Sequence, residues 1–497
     1  MQYRGRAHHD FARNPELYDV KPRTPDESVG STGRWRIPDS NMVKLVILFF
    51  TCFAINSDIL ASAPNLTHIA QNFNLSVTER DSHLGALIQF GFYAAAGFFS
   101  ILSGPAIEVI DRPKLLAGLS ALSSLLSCLS GLVPTGRAGF FYFFLIRVST
   151  GISVGIVLPT AFSLLGDLVT APQRTTMSAF VTTSCAAGAA VGQAIAGLIG
   201  GSWRIPYFIS AALTACACAL LVVVVRDPTR AGKARSRGTP RNSAAMAWRG
   251  GELGRSVSFD GCGTLSMEDI NWSKFQSVLT VETNRLIFAQ SMPGCIAWSS
   301  IATFMPDFLH KDLGFSVKAS TGVMAVFGIG GLLCSLVGSA IGQSIYNQNR
   351  KNLPIFVAMC ICAGAVPMIL LVLLGGNAFF TLIFAALGGI AATAGPNFKG
   401  MLMNANHASH RGTVFAMFNL VDNFGKGLGP SVLVLITWLS GGNRAAAFAV
   451  AFGLWFVSAW IASMLESCLD EDTLAVEIKQ NGSAQSTPFD SLHIYNN

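Results

Sequence analysis

The chain has 497 residues, of which 51% are hydrophobic and 12% are charged, and its formal net charge is +7. The charged fraction is about half of the ~25% that is usual in soluble domains. Apolar runs of about 20 residues, the length that crosses a bilayer, recur along the chain. This composition excludes a soluble protein and predicts an integral membrane protein. The basic residues cluster in loops away from the aromatic residues, which excludes a nucleic-acid-binding protein.

The eleven cysteines do not follow a pattern that is typical of disulfide or metal sites. Most of them lie inside apolar runs, where a thiol behaves as a small hydrophobic group. The sequence has no phosphate-binding loop, no nucleophile elbow and no metal-ligand spacing. We therefore expect a protein that is not an enzyme and that uses no cofactor and no metal.

Twelve apolar segments predict an all-α integral membrane protein with 12 transmembrane helices in two six-helix pseudo-repeats. The two groups occupy 42–225 and 284–465, and a basic, Ser- and Gly-rich linker at 226–283 joins them. Residues 1–41 are polar and predicted to be disordered, and residues 466–497 form a short acidic tail. The predicted spans are 42–63, 83–104, 115–133, 139–165, 176–199, 206–225, 285–305, 317–341, 353–374, 378–403, 413–438 and 444–465.

A short motif recurs at the same place in both groups. Gly104-Pro-Ala-Ile-Glu108 follows the second span of the first group, and Gly338-Ser-Ala-Ile-Gly342 closes the second span of the other. This echo favours duplication of a six-helix unit over a coincidence of common small residues. Lys and Arg are concentrated in the loops of one side, so the positive-inside rule predicts that both termini are cytoplasmic.

The segment from Arg411 to Pro430 carries the strongest functional signal. Asp422 and Lys426 lie four residues apart inside an apolar run that also contains three glycines, and this spacing puts both charges on one helix face. One interpretation is a neutralised pair that only helps the helix to pack. The other, which we favour, is a pair that lines a polar cavity, because charges at membrane depth usually face the protein interior or water.

Two more charges lie deep in the first group of spans. Asp58 is in the first span, where it is either a proton or cation site or a residue wetted from the outer surface. Arg147 is in the fourth span, followed at four-residue spacing by Gly151 and Gly155, which allow close helix approach. Arg147 is either a donor to neighbouring backbone carbonyls or a cation that faces the cavity, and the sequence leaves both open.

The cytoplasmic helix ends contain acids and bases that predict ion-pair gates. Glu108 and Arg112 follow the second span, and Asp167 and Arg174 lie between the fourth and fifth spans. Such pairs can form when that side is closed and break when it opens; the alternative is a solvated turn. Arg411, at the start of the eleventh span, is a further candidate for the gate.

The seventh span contains Pro293 and Trp298 within Pro-Gly-Cys-Ile-Ala-Trp. Proline removes one helical hydrogen bond, so this sequence predicts a break or kink. The kink either serves packing alone or opens and closes one mouth of the pathway, with Trp298 lining it.

With these features the chain resembles the major facilitator superfamily, and within it the spinster-like transporters. The loop from Gly104 to Lys114 and the fourth-span pattern Arg147, Gly151 and Gly155 are similar to superfamily signatures. One departure is that Asp58 lies six residues before Pro64 with no Arg after it, whereas the family usually has an Asp-Arg pair earlier in this helix. The spinster-like stretches are Pro293–Trp298, Phe327–Gly331, Gly342-Gln343, Tyr346-Asn347 and Arg411–Pro430.

This resemblance implies alternating-access transport of an amphipathic lipid such as a lysophospholipid, with protons as a candidate coupling ion. We expect a monomer, surrounded by membrane lipids, in the plasma membrane or an endolysosomal or vacuolar membrane. The substrate pathway would contain the four deep charges and Trp298. Two rival hypotheses are a transporter of a polar nutrient or organic anion, and a sensor or scaffold that uses the same fold without transport.

Overall fold

The structure, a computed structural model, describes residues 39–169, 174–199, 202–225, 272–407 and 410–485. These residues are helical almost throughout, and no strand occurs among them. Helices are expected because a chain in a bilayer must satisfy its backbone polar groups internally. The segment predicted to be disordered, 1–41, lies outside the described residues apart from the helix start at Asp39. Most of the linker, 226–271, lies outside them as well.

The amino-terminal segment, which we define as residues 39–225, contains seven labelled helices. Helix α3 directly continues a shorter helical stretch, Val77–Glu79, and π-helical turns at Arg80–Leu87. The helices are α1 Asp39–Asn56, α2 Leu66–Asn72, α3 Ile88–Val109, α4 Arg112–Leu132, α5 Arg137–Leu168, α6 Arg174–Leu198 and α7 Ile205–Val224.

The carboxy-terminal segment, residues 272–485, contains nine labelled helices. Because α7 ends and α9 begins on either side of residues 226–271, we call the side of these two helix ends the linker side. The helices are α8 Trp272–Thr280, α9 Glu282–Lys311, α10 Val317–Gln348, α11 Asn352–Leu374, α12 Ala378–Gly388, α13 Ala394–Asn404, α14 Arg411–Leu439, α15 Arg444–Ser463 and α16 Leu469–Gln485.

Within the described residues, nine helices are long and apolar enough to cross a membrane. They correspond to the predicted spans two to six, eight to ten and twelve. Helix α1 is apolar but shorter, whereas α9 and α14 have 30 and 29 residues but are less apolar. All three helices belong to predicted spans that contain deep polar residues.

The first predicted span, 42–63, is not one continuous helix, so that prediction is wrong in its second part. Helix α1 ends at Asn56, and the chain continues through turns to the 3₁₀ helix Ala63–Asn65. Polar side chains at this point bond to the preceding turn: Asn56 Nδ2 donates to Cys52 O (2.7 Å) and Ser57 Oγ donates to Ala54 O (2.7 Å). Such local bonds compete with the helical ladder and favour its termination.

Two other spans also differ from the prediction, one by being continuous and one by being interrupted. Helix α9 runs without interruption through Pro293 and Pro306, so the break expected at Pro293 is absent from the secondary structure. The tenth predicted span, by contrast, is interrupted by the 3₁₀ helix Gly389–Thr393 between α12 and α13. Regular α-helical bonding is therefore lost near Asn56 and near Gly389, where the sequence predicts continuous helices.

Helix α14 packs against both α3 and α9, and so joins the two segments of the chain. Its glycines explain the close approach. A Cβ at Gly429 would collide with Ser299 Oγ of α9, and one at Gly427 would lie 3.3 Å from Phe90 Cα of α3. The glycine-rich sequence after Lys426 therefore lets the charged part of α14 lie between two helices.

The described ends of the linker and tail are helical. Helix α16 lies on the linker side, where Arg350 Nη2 contacts Glu477 Oε1 (2.7 Å) and Thr283 N donates to Asp472 Oδ2 (2.9 Å). Acidic residues in the first turn of α16 stabilise its amino-terminal dipole. The acidic tail expected from the sequence thus begins as a helix that contacts the loop after α10.

Candidate functional site

Asp422 and Lys426 form an ion pair near the middle of α14. Lys426 Nζ lies 2.5 Å from Asp422 Oδ2, and their side chains are 35% and 19% exposed. Cys295 Sγ of α9 donates to Asp422 Oδ1 at 2.9 Å, which fixes the other carboxylate oxygen. The pair is therefore both neutralised and accessible, so it combines features of the two interpretations that the sequence left open.

The groups around this pair come from several helices. Tyr93 of α3 interacts electrostatically with both Asp422 and Lys426. Lys399 of α13 and Cys185 of α6 also lie within electrostatic range of Lys426. We call Asp422, Lys426, Lys399, Tyr93 and Cys295 the central site. It draws on both segments of the chain.

Lys399 was not singled out by the sequence analysis, although a lysine within the predicted span 378–403 is a visible signal. It follows the 3₁₀ interruption of that span, and its Nζ donates to Thr182 Oγ1 of α6 at 3.2 Å. Among the described residues no carboxylate lies within 4.0 Å of this ammonium group, and Asp422 interacts with it electrostatically. Lys399 thus bridges the two segments through a neutral partner.

The central site carries more positive than negative charge. Lys426 and Lys399 bring two formal positive charges and Asp422 brings one negative charge, which leaves an excess of +1 among the described residues. A low-dielectric environment makes an uncompensated charge costly. The site is therefore electrostatically complementary to a ligand with a negative group.

Asp58 and Arg147 form a second deep pair, within the amino-terminal segment. Arg147 Nη1 lies 3.0 Å from Asp58 Oδ2, and the side chains are only 3% and 1% exposed. Arg147 Nη2 also donates to Asp58 O (3.3 Å), so the arginine satisfies a carbonyl of the irregular backbone after α1. This burial rules out the interpretation of Asp58 as a residue wetted from the surface.

Further contacts enclose this pair. Ser127 Oγ of α4 donates to Asp58 Oδ2 at 2.6 Å, and the Arg147 guanidinium lies over the rings of Phe92 and Tyr207 at 5.3 and 5.6 Å. Asp58 Oδ1 is buried and has no hydrogen-bond partner among the described residues. The geometry matches the role of Arg147 as a donor to backbone carbonyls. Tyr93, which interacts with Arg147 and with Lys426, connects this pair to the central site.

A third charged cluster joins the two segments on the side opposite the linker, and the sequence analysis missed it. Asp307 Oδ2 of α9 lies 3.4 Å from Arg80 Nη2 and 3.1 Å from Arg444 Nη2. Arg80 also contacts Asp81 (2.7 Å), and Arg444 contacts Asp312 (2.8 Å). We call these five residues the opposite-side cluster; the side chains of Arg80 and Asp307 are almost fully buried.

The cluster links Arg80, before α3, to residues at the far end of α9 and the start of α15. Thr67 adds a further contact between the segments, because its Oγ1 lies 3.4 Å from Asp307 Oδ1 and accepts from Arg80 Nη1 at 3.1 Å. Burial raises the pKa of Asp312, and the adjacent Arg444 opposes this change. Ionic contacts therefore connect the two segments on the opposite side of the protein.

The predicted gate on the linker side is only partly described. The side chains of Glu108, Asp167 and Arg174 lie outside the described part of the chain. Arg112 Nη1 donates to Ser163 O at 3.4 Å, and Arg411 Nε donates to Met403 O at 3.0 Å. Arg411 also lines a polar cavity of about 260 Å³ together with Tyr346 and Glu477. The ion-pair gate remains a prediction.

Pro293 and Trp298 lie on α9 near the central site. Trp298 packs on Phe327 and Trp455, with ring centroids 5.4 and 5.2 Å away, inside the carboxy-terminal segment. It is half-buried. Its role in the pathway remains a prediction. Among the residues that the structure describes, no group of His, Cys, Asp and Glu could hold a metal ion.

Comparisons with known proteins give the family. The profile of the Major Facilitator Superfamily matches residues 46–430. An uncharacterized MFS-type transporter of Bacillus subtilis, YceJ, is 21% identical over 408 residues, which cover 80% of this chain and 94% of that protein. Mouse protein spinster homolog 1 is 26% identical over 356 residues, which cover 70% of this chain and 61% of the mouse protein.

Two solved structures have the same fold. A bacterial homolog of the human lysosomal transporter spinster, in an inward-facing and unoccupied conformation, aligns with a TM-score of 0.58 and 14% identity over 89% of this chain and 98% of its own. A D-xylose–proton symporter aligns with a TM-score of 0.62 and 14% identity over 85% and 96%. The chain therefore belongs to the Major Facilitator Superfamily, as a multi-pass membrane transporter close to the spinster branch.

Proposed function

We propose that the protein is an alternating-access transporter of an amphipathic molecule, a lysophospholipid or a related lipid. One observation carries this proposal: an accessible charged site, Asp422 and Lys426 with Lys399, lies among apolar helices at the junction of the two segments. Charged residues at membrane depth are costly and usually mark a substrate or ion pathway. A headgroup would bind these charges, and an apolar tail would contact the surrounding apolar walls.

The proposed architecture has twelve transmembrane helices in two six-helix bundles, 42–225 and 284–465. Both termini would lie in the cytoplasm, so the linker side would be the cytoplasmic side and the opposite-side cluster would face outward or into a lumen. The membrane would be the plasma membrane or an endolysosomal or vacuolar one. Helices α1, α9 and α14 would complete the set of spans, because they fill the places of the three missing segments in the predicted order.

Alternating access requires two gates that are not open together. The opposite-side cluster supports the proposal of one gate, since Asp307 of α9 binds arginines that precede α3 and begin α15. We propose that the other gate contains Glu108, Arg112, Asp167, Arg174 and Arg411, and that Pro293 lets α9 bend as the gates exchange. The pair Asp58–Arg147 would hold the amino-terminal bundle together during this movement.

The similarity to spinster homologs supports a lipid as the substrate, and the proton is the proposed coupling ion. A direct test measures the flux of labelled lysophosphatidylcholine in proteoliposomes of purified protein, with and without an inward proton gradient. We expect saturable flux that the gradient accelerates. Saturable flux without any response to the gradient would contradict proton coupling alone. Absence of flux in folded protein would contradict lysophosphatidylcholine as a substrate, and absence of flux of lysophosphatidic acid as well would contradict the lipid substrate.

A polar solute is the second candidate, and the polar character of the central site favours it. The same proteoliposomes should therefore be tested with labelled D-xylose and with a small organic anion. Flux of either one, without lysolipid flux, would replace the lipid proposal. Binding of a lysolipid without flux of any probe would favour a sensor or scaffold on the same fold.

A further inference from the structure

We infer that Lys399 is the headgroup-binding residue of the central site and that the substrate headgroup carries net negative charge, as a phosphate monoester does. This inference rests on the proposed function and narrows its substrate class. It excludes a zwitterionic headgroup as the preferred ligand. It also assigns Lys399 a role that the pair Asp422–Lys426 does not fill.

The first argument is the difference between the two lysines. Lys426 is matched by Asp422 at 2.5 Å, so its charge is already compensated within α14. Lys399 donates to the neutral hydroxyl of Thr182 at 3.2 Å, and no described carboxylate lies within 4.0 Å of its Nζ. Its charge is therefore the excess charge of the site, and a ligand anion is the group that can neutralise it.

The second argument is position. Lys399 is half-buried, and it follows the 3₁₀ interruption Gly389–Thr393, where the helical ladder is irregular. Its partner Thr182 is in α6 of the amino-terminal segment, so the bond between them crosses the junction of the two segments. An anion that takes the ammonium group away from Thr182 would remove one polar contact between the segments. Ligand binding at Lys399 would thereby change a contact at the surface along which the segments move.

A purely structural lysine makes a different prediction. If Lys399 only tied α13 to α6, removing either partner of the bond would weaken the protein without affecting the choice of ligand. If Lys399 binds the headgroup, Thr182 competes with the ligand for the same ammonium group. Thr182→Val should then tighten the binding of an anionic ligand, whereas Lys399→Gln should weaken it.

The test is equilibrium binding of two probes with the same tail, 1-oleoyl-lysophosphatidic acid and 1-oleoyl-lysophosphatidylcholine, to purified full-length protein in nanodiscs. Glycerol 3-phosphate serves as a probe without a tail. The variants are Lys399→Gln, Lys399→Arg and Thr182→Val, and Lys351→Gln is a matched control at an exposed lysine. Thermal unfolding of each variant, measured without ligand, separates loss of binding from loss of fold.

We expect wild-type protein to prefer lysophosphatidic acid over lysophosphatidylcholine by about tenfold or more. Lys399→Gln should abolish this preference, Lys399→Arg should retain most of it, Thr182→Val should increase it severalfold, and Lys351→Gln should leave it unchanged. Equal binding of both lipids by wild type, or an unchanged preference in a folded Lys399→Gln variant, would overturn the inference and leave the proposed transport of lipids intact.

Failure of the proposed function would give another pattern. If glycerol 3-phosphate bound in a Lys399-dependent manner while neither lipid bound, the role of Lys399 in anion binding would stand and the lipid substrate would fall. If none of the three probes bound to folded wild-type protein, the inference would be overturned for phosphate headgroups.

Discussion

The two deep charge pairs use the same chemistry in different surroundings. Asp58 and Arg147 are almost fully enclosed, and a serine hydroxyl, a backbone carbonyl and two aromatic rings complete their environment. Asp422 and Lys426 are closer together, at 2.5 Å, yet 19% of the Asp422 side chain and 35% of the Lys426 side chain are exposed. A deep ion pair is therefore not in itself a binding site; the exposed fraction distinguishes the pair that can meet a ligand.

The difference also separates stability from function. Removing one partner of an enclosed pair leaves a buried charge with nothing to balance it, whereas water and neighbouring groups can screen a charge that lines a cavity. We therefore expect changes at Asp58 and Arg147 to act mainly on folding, and changes at Asp422 and Lys426 to act mainly on transport.

The largest effect is expected from Arg147→Met. This change leaves Asp58 buried and uncompensated, so it should lower the free energy of unfolding by roughly 3–5 kcal/mol. Thermal unfolding of the purified protein, followed by size-exclusion chromatography, measures the loss. The double variant Asp58→Asn with Arg147→Met should recover much of the stability because no charge remains. A single variant as stable as wild type would show that water reaches this pair.

The second-largest effect is expected from a change in the opposite-side cluster. Asp307→Asn removes the carboxylate that Arg80 and Arg444 share, and so weakens the closed state of that side. In a variant whose sole cysteine is Cys295, beside Asp422, a membrane-impermeant thiol reagent added from that side should then react about tenfold faster, which corresponds to about 1.4 kcal/mol.

Two controls make this labelling experiment specific. Replacing Cys295 with Ser should abolish the signal, and the conservative change Asp307→Glu should keep the labelling slow. Equal labelling rates with Asp and Asn at position 307 would show that the cluster does not close this side.

The effect of Lys426→Ala on stability should be smaller than that of Arg147→Met. Asp422 keeps its bond from Cys295 and its interaction with Lys399, and part of its charge faces an accessible space. We expect a loss of about 1 kcal/mol or less in the free energy of unfolding. A loss as large as that of Arg147→Met would mean that the two pairs are both structural.

The smallest effect is expected where α16 meets the loop after α10. Arg350 and Glu477 are close, with an N···O distance of 2.7 Å, but both side chains are partly exposed. Their double-mutant coupling energy should be about 0.2–1 kcal/mol and should fall as salt increases. A coupling energy that does not change with salt would indicate that α16 shields this pair from solvent.

The sequence predicted the positions of most spans because hydropathy depends on local composition. The limits of α11, Asn352–Leu374, for example, differ by one residue at one end from the predicted span 353–374. The helix end at Asn56 and the interruption at Gly389 were missed because they depend on local side-chain bonding and on packing. Helices α9 and α14, which are long but less apolar than the nine candidate spans, carry three of the five residues of the central site.

Only part of the candidate site could be predicted from the sequence. Asp422 and Lys426 are neighbours on one helix, so their spacing predicted the pair. The partner of Arg147 is 89 positions away, and Asp307 is 227 positions from Arg80 and 137 from Arg444, so no local pattern connects them. Lys399 was detectable as a charge in an apolar run. Only the arrangement of the helices shows that no carboxylate in the described part of the chain lies within 4.0 Å of its ammonium group.

The most direct test of the distinction between the pairs is the initial rate of labelled lysolipid flux per folded molecule in proteoliposomes. The comparison needs wild type, Lys426→Ala and the exposed control Lys351→Ala. If Asp422 and Lys426 form the transport site, Lys426→Ala should lose nearly all flux while it remains folded, and Lys351→Ala should match wild type. Full flux in Lys426→Ala, alongside wild-type flux in the control, would contradict the assignment of the site.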